Sequence, residues 1–576
     1  MAKVIKKSVP WFLIISLMLS TVLILNFSSL KVEADSADTS VNVGNTVPAF
    51  TSSYEPHEDP ASATSTPTNV GLDVTFKATA SDANSDDWKL LICSSDSVTG
   101  TTCDAITFCT SNFASSTAEA TCSRTALVGD NETVDWYGFA CDATACSAES
   151  HKTDADIGPP FHVNHSPAFT VFADDGPKGP ATTITWSTTA SDTDSGGSDT
   201  VSLYVCKAAD FTGSACGGGG TWCLDLAKAS DPTCATTTPR PDGDYTAYGY
   251  VVDNHGFVSV DTAEGNDSSP TVNNVSPSIT NSSINLLNTD GTAGNLTLTS
   301  EEAETNDFIV TFIVNDGNSC MTTSSADEIT SAFINVRMSE KAQGACDITG
   351  EYDANDCYPD DYASWNPVCA ASSTVDSCTD NTDTSVGWAC TFPLQYHADP
   401  TVTGTPKAAY NWLAAAQATD DDAANTTLID GTGTNAMDKF MAYNLDTASI
   451  AYGTVAPDSD SAEQTATVEA TGNLGLDENL SGSQLCNDYS TCAGGDDIAI
   501  AQQVYNLSQG AGWGSGTALS GTPAESELDC SKTTITGTPE TKNTYWYLHI
   551  PLGQAVDTYT GQNTIEGKVD NENYGA

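Results

Sequence analysis

The chain has 576 residues, with 19 Lys+Arg against 76 Asp+Glu and a formal net charge of −57. A charge of that sign and size repels nucleic acid and anionic membrane surfaces, and excludes both as electrostatic partners. Strong acidity also marks disordered chains, but 19 Cys, 10 Trp, 19 Tyr and 17 Phe supply the core-forming side chains of folded domains.

The N-terminus reads "MAKVIKK", then the apolar run "SVPWFLIISLMLSTVLILNFSSL", then small residues at Val32 and Ala34. This order is that of an export signal, residues 1–34, cut after Ala34. Left uncut, the run is almost long enough to anchor the chain in a bilayer, the one membrane contact the sequence offers. Residues 35–47 follow as a linker. Export places the cysteines in an oxidising compartment, where this density means disulfides. Cys-x-x-Cys and the Cys/His spacings of zinc sites are absent. The expected location is extracellular, on the cell surface.

Repeats come next. "NTVPAFT" at Asn45, "NHSPAFT" at Asn164 and "NNVSPSIT" at Asn273 each open a unit. In the first two units "VTFKATASD" aligns with "ITWSTTASD", "WKLLIC" with "VSLYVC", and "DWYGFACDATAC" with "AYGYVVDNHGF". The segments are short, alternate apolar with polar residues and are rich in Val, Ile, Thr, Tyr and Phe, which is strand patterning. The expected domains are 48–162, 163–273, 274–441 with a cysteine-rich insert from Cys320 to Cys390, and 442–576. In the third unit "DFIVTFIVND" is a strand, and "YNWLAAAQATDDDAAN" takes a strand position in spite of its alanines. The predicted fold class is all-β: tandem immunoglobulin-like antiparallel β-sandwiches with local disulfides.

Three stretches carry resemblances. "DGDYTAYGYVVDNHGFVS" (Asp242–Ser259) resembles the closing strands of immunoglobulin-like, PKD and fibronectin type III modules. "ASIAYGTVAPDSDSAEQTATVEATGNLGLDENLSGS" (Ala448–Ser483) resembles a Hydin-like module, with Tyr452 in place of its Phe and Asp458 in place of its Gly. "ASDTDSGGSD" (Ala190–Asp199) resembles the Asp-x-Asp loops with which cadherin-like modules stiffen their junctions. Taken whole, the chain resembles multi-domain Ig-like exported surface proteins of uncultured bacteria and archaea. That resemblance implies a structural or adhesive surface protein and transfers no catalytic residue.

Cysteine spacing gives candidate pairs. Cys141 and Cys146 flank a hairpin turn, and their counterparts Val252 and Phe257 change together, as a bonded pair does. The other four cysteines of each of the first two units share one connectivity. Short loops close most easily, which favours Cys93–Cys103 with Cys109–Cys122, and Cys206–Cys216 with Cys223–Cys234. In the last unit Cys486 and Cys492 are neighbours and Cys530 is left over. Pairing in the third unit stays open.

The usual catalytic motifs are missing: no Gly-x-Ser-x-Gly elbow, His-Glu-x-x-His helix or phosphate loop. His162 and His165 fall in a linker, and "GGGG" at Gly217–Gly220 reads as slack within a disulfide loop. Trp365, in the loop "DDYASWNPVC", is the candidate exposed ligand contact. Trp388 and Trp412 read as core. What remains is acid. In an immunoglobulin-like sandwich the loop between the second and third strands shares an end with the final hairpin. Asp82 and Asp86 should therefore approach Asp142. Asp192, Asp194 and Asp199 should approach Asp253, and Asp316 should face Asp420, Asp421 and Asp422. Clustered carboxylates repel unless a cation sits among them, and calcium accepts about six to eight oxygens. The alternative is a set of solvated turns whose aspartates close their own backbone. Expected partners are other surface proteins or glycans, including a binding module centred on the third unit, or further copies of the chain in a surface layer or filament.

Overall fold

In the computed structural model the described residues are 40–570, except 53–54, 149–159, 195–197, 302–305, 322–326, 493–495 and 536. The export segment lies outside them. Among the described residues no helix is long and apolar enough to cross a membrane. Strands make up nearly all regular structure, with short 3-10 turns such as Asn281–Ser283 between them. The chain divides into two compact units: Met1–Ala61, Val74–Arg124 and Asp135–Phe161 in one, and Ser62–Asp73, Thr125–Val134 and His162–Ala576 in the other.

Period-two patterning builds the first two sandwiches. In Asp73–Ser81 the buried residues are Val74, Phe76, Ala78 and Ala80; in Thr183–Ser191 they are Ile184, Trp186, Thr188 and Ala190. Successive strand side chains point to opposite faces, so one face of each strand enters the core. Each such side chain, fully buried, contributes roughly 1.5–3 kcal/mol when it is as large as Val or Phe. In the first repeat Asp73–Ser81 pairs with Ala49–Phe50, His57–Glu58 and Glu119–Thr125, while Lys89–Cys93 lies between Tyr137–Cys141 and Thr107–Thr110. The second repeat has the same plan. Thr183–Ser191 lies between Ala168–Asp174 and Cys234–Thr237, and Val201–Cys206 lies between Thr221–Lys228 and Tyr248–Asp253. Gly138 and Gly249 hold equivalent positions for one reason: a Cβ would meet Pro56 Cγ at 2.2 Å in the first repeat and the Phe172 ring at 2.6 Å in the second.

The third sandwich is larger. Phe308, Val310, Phe312 and Val314 are fully buried on one face of Asn306–Asn315. That strand pairs without a register break with Ser385–Leu394. The alanine run is the strand Trp412–Asp420, because Ile329–Met338 supplies its backbone partners along its length. The cysteine-rich stretch is woven into both sheets: Cys357–Tyr358 joins one, and Val368–Ala371 with Ser385–Leu394 the other. In the fourth sandwich Gln464–Ala470 pairs with Glu540–Ile550, and Leu476–Gly482 lies between Ala524–Cys530 and Asn563–Val569.

Trp365 corrects the sequence reading. It is 2 % exposed, its ring 5.6 Å from Tyr358 and 5.7 Å from Phe392, and its Nε1–H donates to the Pro393 carbonyl at 2.8 Å. An indole is too large an apolar surface to leave in water when a strand and its neighbours can cover it. The polar residues around it in sequence hid that. Trp388 and Trp412 are buried.

Nine disulfides staple the sandwiches. Those of the first, second and fourth repeats are Cys93–Cys103, Cys109–Cys122, Cys141–Cys146, Cys206–Cys216, Cys223–Cys234 and Cys486–Cys492. The third repeat adds Cys320–Cys378, Cys346–Cys357 and Cys369–Cys390. Closing a loop of about ten residues restricts the unfolded chain by roughly 2–3 kcal/mol. Cys530 is free and buried, and burial pushes its thiol up to about 11.

Two outcomes follow. Trp365→Ala should lower stability to denaturant by roughly 3–5 kcal/mol, the usual cost of emptying a buried indole site, whereas an exposed ligand contact would leave it unchanged. Thiol titration of the native chain should find no reactive thiol at neutral pH, and titration in denaturant without reductant should find one, with no covalent dimer on a non-reducing gel.

Candidate cation sites at the sandwich ends

Strand register brings each acidic loop to its hairpin. Lys89 pairs with Cys141, Val201 with Asp253 and Ile329 with Asp420, so the start of the third strand lies beside the end of the hairpin's first strand. In the second and third repeats the loop aspartate lies close enough to the hairpin aspartate to be repelled by it, and in all three repeats the two are built differently.

The hairpin aspartate uses both oxygens. Asp142 Oδ1 accepts the backbone N–H of Thr144 at 2.6 Å and of Ala145 at 2.9 Å, and its Oδ2 accepts the Asn45 amide at 2.7 Å. Asp253 Oδ1 accepts from His255 and Phe257 at 2.8 Å each, and Oδ2 accepts from Asn164 at 2.8 Å. Asp420 Oδ1 accepts from Ala424 at 2.6 Å, and Oδ2 from Asn274 at 3.1 Å. The three asparagines are the openings of the repeats, so each linker is tied to the hairpin of the sandwich it enters. Burial opposes ionisation of Asp142, but the donors Asn45, Thr144 and Ala145 outweigh it and hold the carboxyl at about 2.

The loop aspartate uses one oxygen. Asp82 Oδ1 accepts from the Asn84 N–H at 2.6 Å, Asp192 Oδ1 from Asp194 at 2.9 Å, and Asp316 Oδ1 from Asn318 at 2.8 Å. All three residues are buried, and in all three Oδ2 has no hydrogen-bond partner among the described residues. Burial, reinforced by Asp194, Asp253 and Asp199, pushes Asp192 up to about 6. Burial, reinforced by Asp420, Asp242 and Asp421, does the same to Asp316.

The three ends differ in what surrounds that oxygen. In the second repeat Asp192, Asp194 and Asp199 bring carboxylate oxygens within 4.8 Å of one another. His165 and His255 border them: His165 Nδ1 lies 2.9 Å from Asp194 Oδ1, and His255 Nε2 lies 3.4 Å from Asp199 Oδ2. His165, read from sequence as linker polarity, is thus part of this end. In the first repeat Asp86 is a correction. It is exposed, and only its backbone N–H reaches Asp82, at 3.4 Å, because Asp82 closes the turn by drawing backbone rather than side chains towards itself. In the third repeat two acids absent from the sequence reading appear. Asp242, from the second repeat, and Glu328 bring oxygens within 4.8 Å of Asp421. Asp422 lies against Asp242. Burial, reinforced by Asp421, Asp242, Asp316 and Asp420, pushes Glu328 up to about 8. Neither residue stands out in sequence among 76 acids; only the tertiary fold brings them together. "GGGG" is also more than slack, since the N–H groups of Gly217 and Gly219 donate to the Asp210 carboxylate at 3.2 and 2.8 Å.

No family model matches this chain, and no curated protein matches it. Among solved structures it is similar to a marsupial T cell receptor (8% identity, TM-score 0.24, 64% of this chain and 98% of that one). It is similar to the FN1–FN3 domains of chicken CNTN1 (8% identity, TM-score 0.18, 64% and 99%). It is also similar to trypsin-activated alpha-2-macroglobulin from Escherichia coli (11% identity, TM-score 0.15, 91% and 34%). The fold assignment stands on the strands and sheets above.

Asn164→Ala should cost roughly 1–3 kcal/mol in denaturant melts, because it leaves a buried carboxylate oxygen of Asp253 without its donor. A second outcome concerns pH. Burial pushes Glu264 and Glu478 up to about 7. The folded chain then holds protons that the unfolded chain releases, so the contribution of these two groups to stability falls as pH rises from the ordinary carboxylate range through about 7, and levels off above. In chelator the chain should melt higher at pH 5 than at pH 8, and Glu264→Gln should flatten part of that slope. Equal slopes in the two proteins would count against the assignment to Glu264.

Proposed function

We propose that this chain is an exported structural or adhesive protein of the cell surface, without catalysis, whose sandwich ends are completed by calcium. One observation carries the reading: the same buried, unpartnered aspartate oxygen recurs at the same end of three successive sandwiches, at Asp82, Asp192 and Asp316. A catalytic centre is made once. A feature repeated with the domain serves the architecture. Calcium suits an all-oxygen, loop-borne donor set, and in the second repeat Asp194 and Asp199 stand beside Asp192 to contribute to one.

Other features support the location. Nine disulfides fit an oxidising extracellular compartment, and a net charge of −57 suits a surface bathed in salt and divalent cations. The partners are other surface proteins, glycans or further copies of the chain. A sugar-binding module centred on the third repeat has lost the side chain that suggested it, since Trp365 is buried.

The test is thermal melting of the full-length chain in chelator and in millimolar CaCl2. Calcium should raise the melting temperature by several degrees, since a ligand at about 100 times its Kd adds roughly 2.7 kcal/mol to folding. Asp192→Asn should reduce the rise. Identical melts in chelator and calcium would leave the loops as solvated turns and remove calcium from the function.

A further inference from the structure

The seam between the second and third sandwiches holds an acid with no use inside either of them. Glu328 is completely buried, and among the described residues neither of its carboxylate oxygens has a hydrogen-bond partner. It immediately precedes the strand Ile329–Met338 of the third sandwich. Asp421, in the turn after Trp412–Asp420, comes from the same sandwich, and Asp242 comes from the second. Their oxygens lie within 4.8 Å of one another. Asp316 and Asp420 stand close enough to repel the Glu328 carboxylate. Among the described residues none of these five acids forms a salt bridge. The nearby arginine, Arg240, donates instead to the Gly317 carbonyl at 3.2 Å.

Three arrangements are open to a buried carboxyl. As an ion without a partner it is costly. As an acid it carries an O–H donor as well as a free acceptor, and among the described residues neither Glu328 oxygen is engaged in a hydrogen bond. The third is an ion from solution. We propose that Asp242, Glu328 and Asp421 form a divalent-cation site, selective for calcium over magnesium, that clamps the second sandwich to the third.

The ion class rests on the calcium reading above; the place and the clamp do not. Oxygens bound to one calcium lie about 2.3–2.6 Å from it and so up to about 5 Å apart, which this cluster matches. Glu328 offers two oxygens to a flexible shell of the kind calcium accepts and magnesium, with its near-octahedral demand, does not. The seam around it is already ordered. The Asn318 amide donates to the carbonyls of Arg240 at 3.2 Å and Asn273 at 2.9 Å, and its own oxygen accepts from the Val275 N–H. An ion bound here draws on both sandwiches and opposes their separation.

Calorimetric titration of the full-length chain with CaCl2 and with MgCl2 tests the proposal, together with hydrogen exchange at the 240–242, 273–275 and 317–318 backbone. Wild type, Glu328→Gln, Asp242→Asn and Asp192→Asn are compared. Glu328→Gln should lose one bound calcium per chain, and Asp242→Asn should weaken that same site by at least about tenfold, as loss of a ligand does. Asp192→Asn should leave it intact. Calcium should slow seam exchange in wild type and in Asp192→Asn, and not in Glu328→Gln. The glutamine variant removes a buried charge at constant shape, so its melting temperature in chelator should equal or exceed that of wild type, which shows that it folds. Equal calcium binding by wild type and Glu328→Gln overturns the clamp, as does seam exchange unmoved by calcium in wild type. If Asp192→Asn alone loses calcium, the sandwich-end reading stands and the clamp falls. If wild type binds none, both fall.

Discussion

A carboxylate oxygen taken out of water must find a donor or a cation, and the ends of these sandwiches are organised by that demand. Each end has two aspartates. One saturates itself: Asp142, Asp253 and Asp420 divide their oxygens between their own hairpin and a linker asparagine. The other stops halfway, its first oxygen closing a turn and its second left buried and unmet at Asp82, Asp192 and Asp316. The contrast between neighbours is informative. The fold shows that it can satisfy a buried aspartate with amide donors, and it does so on one side only. A neutral, self-contained turn needs no such asymmetry.

The rest of the molecule makes that arrangement affordable. The sandwich cores hold Trp88, Trp136, Trp186, Trp412 and Trp546 almost wholly out of water, and the disulfides lower the entropy of the unfolded chain within each repeat. Charge on the outer surface works the other way, since a net −57 opposes compaction. The proposed cations at the ends would reduce that repulsion where it is densest, which links the composition of the chain to the geometry of its loops.

Much of this was legible in the sequence because repetition exposes register. Two copies of "TASD" and of the Tyr-Gly strand fixed which loops face which hairpins, and loop length favoured the cysteine pairs that the structure contains. What escaped was set by packing between segments distant in sequence. Trp365 was misplaced because its neighbours are polar while its partners, Tyr358 and Phe392, are on other strands. Asp86 reads like the other acids of its loop, yet its side chain is exposed and only its backbone N–H turns to Asp82. The asparagines of the linkers were visible as a repeat mark, but their bond to the hairpin aspartate was not, since nothing in "NTVPAF" names its acceptor. Asp242 and Glu328 carried no local signal in a chain with 76 acids.

Occupancy of the position that the unmet oxygens describe separates a cation site from a solvated turn. The direct measurement is a crystal structure of the chain grown with calcium and soaked in terbium, with an anomalous difference map. Bound cations should give peaks about 2.3–2.6 Å from Asp192 Oδ2 and from the Glu328 carboxylate. A map without peaks there, with water or a protonated neighbour against both groups, would contradict the cation sites.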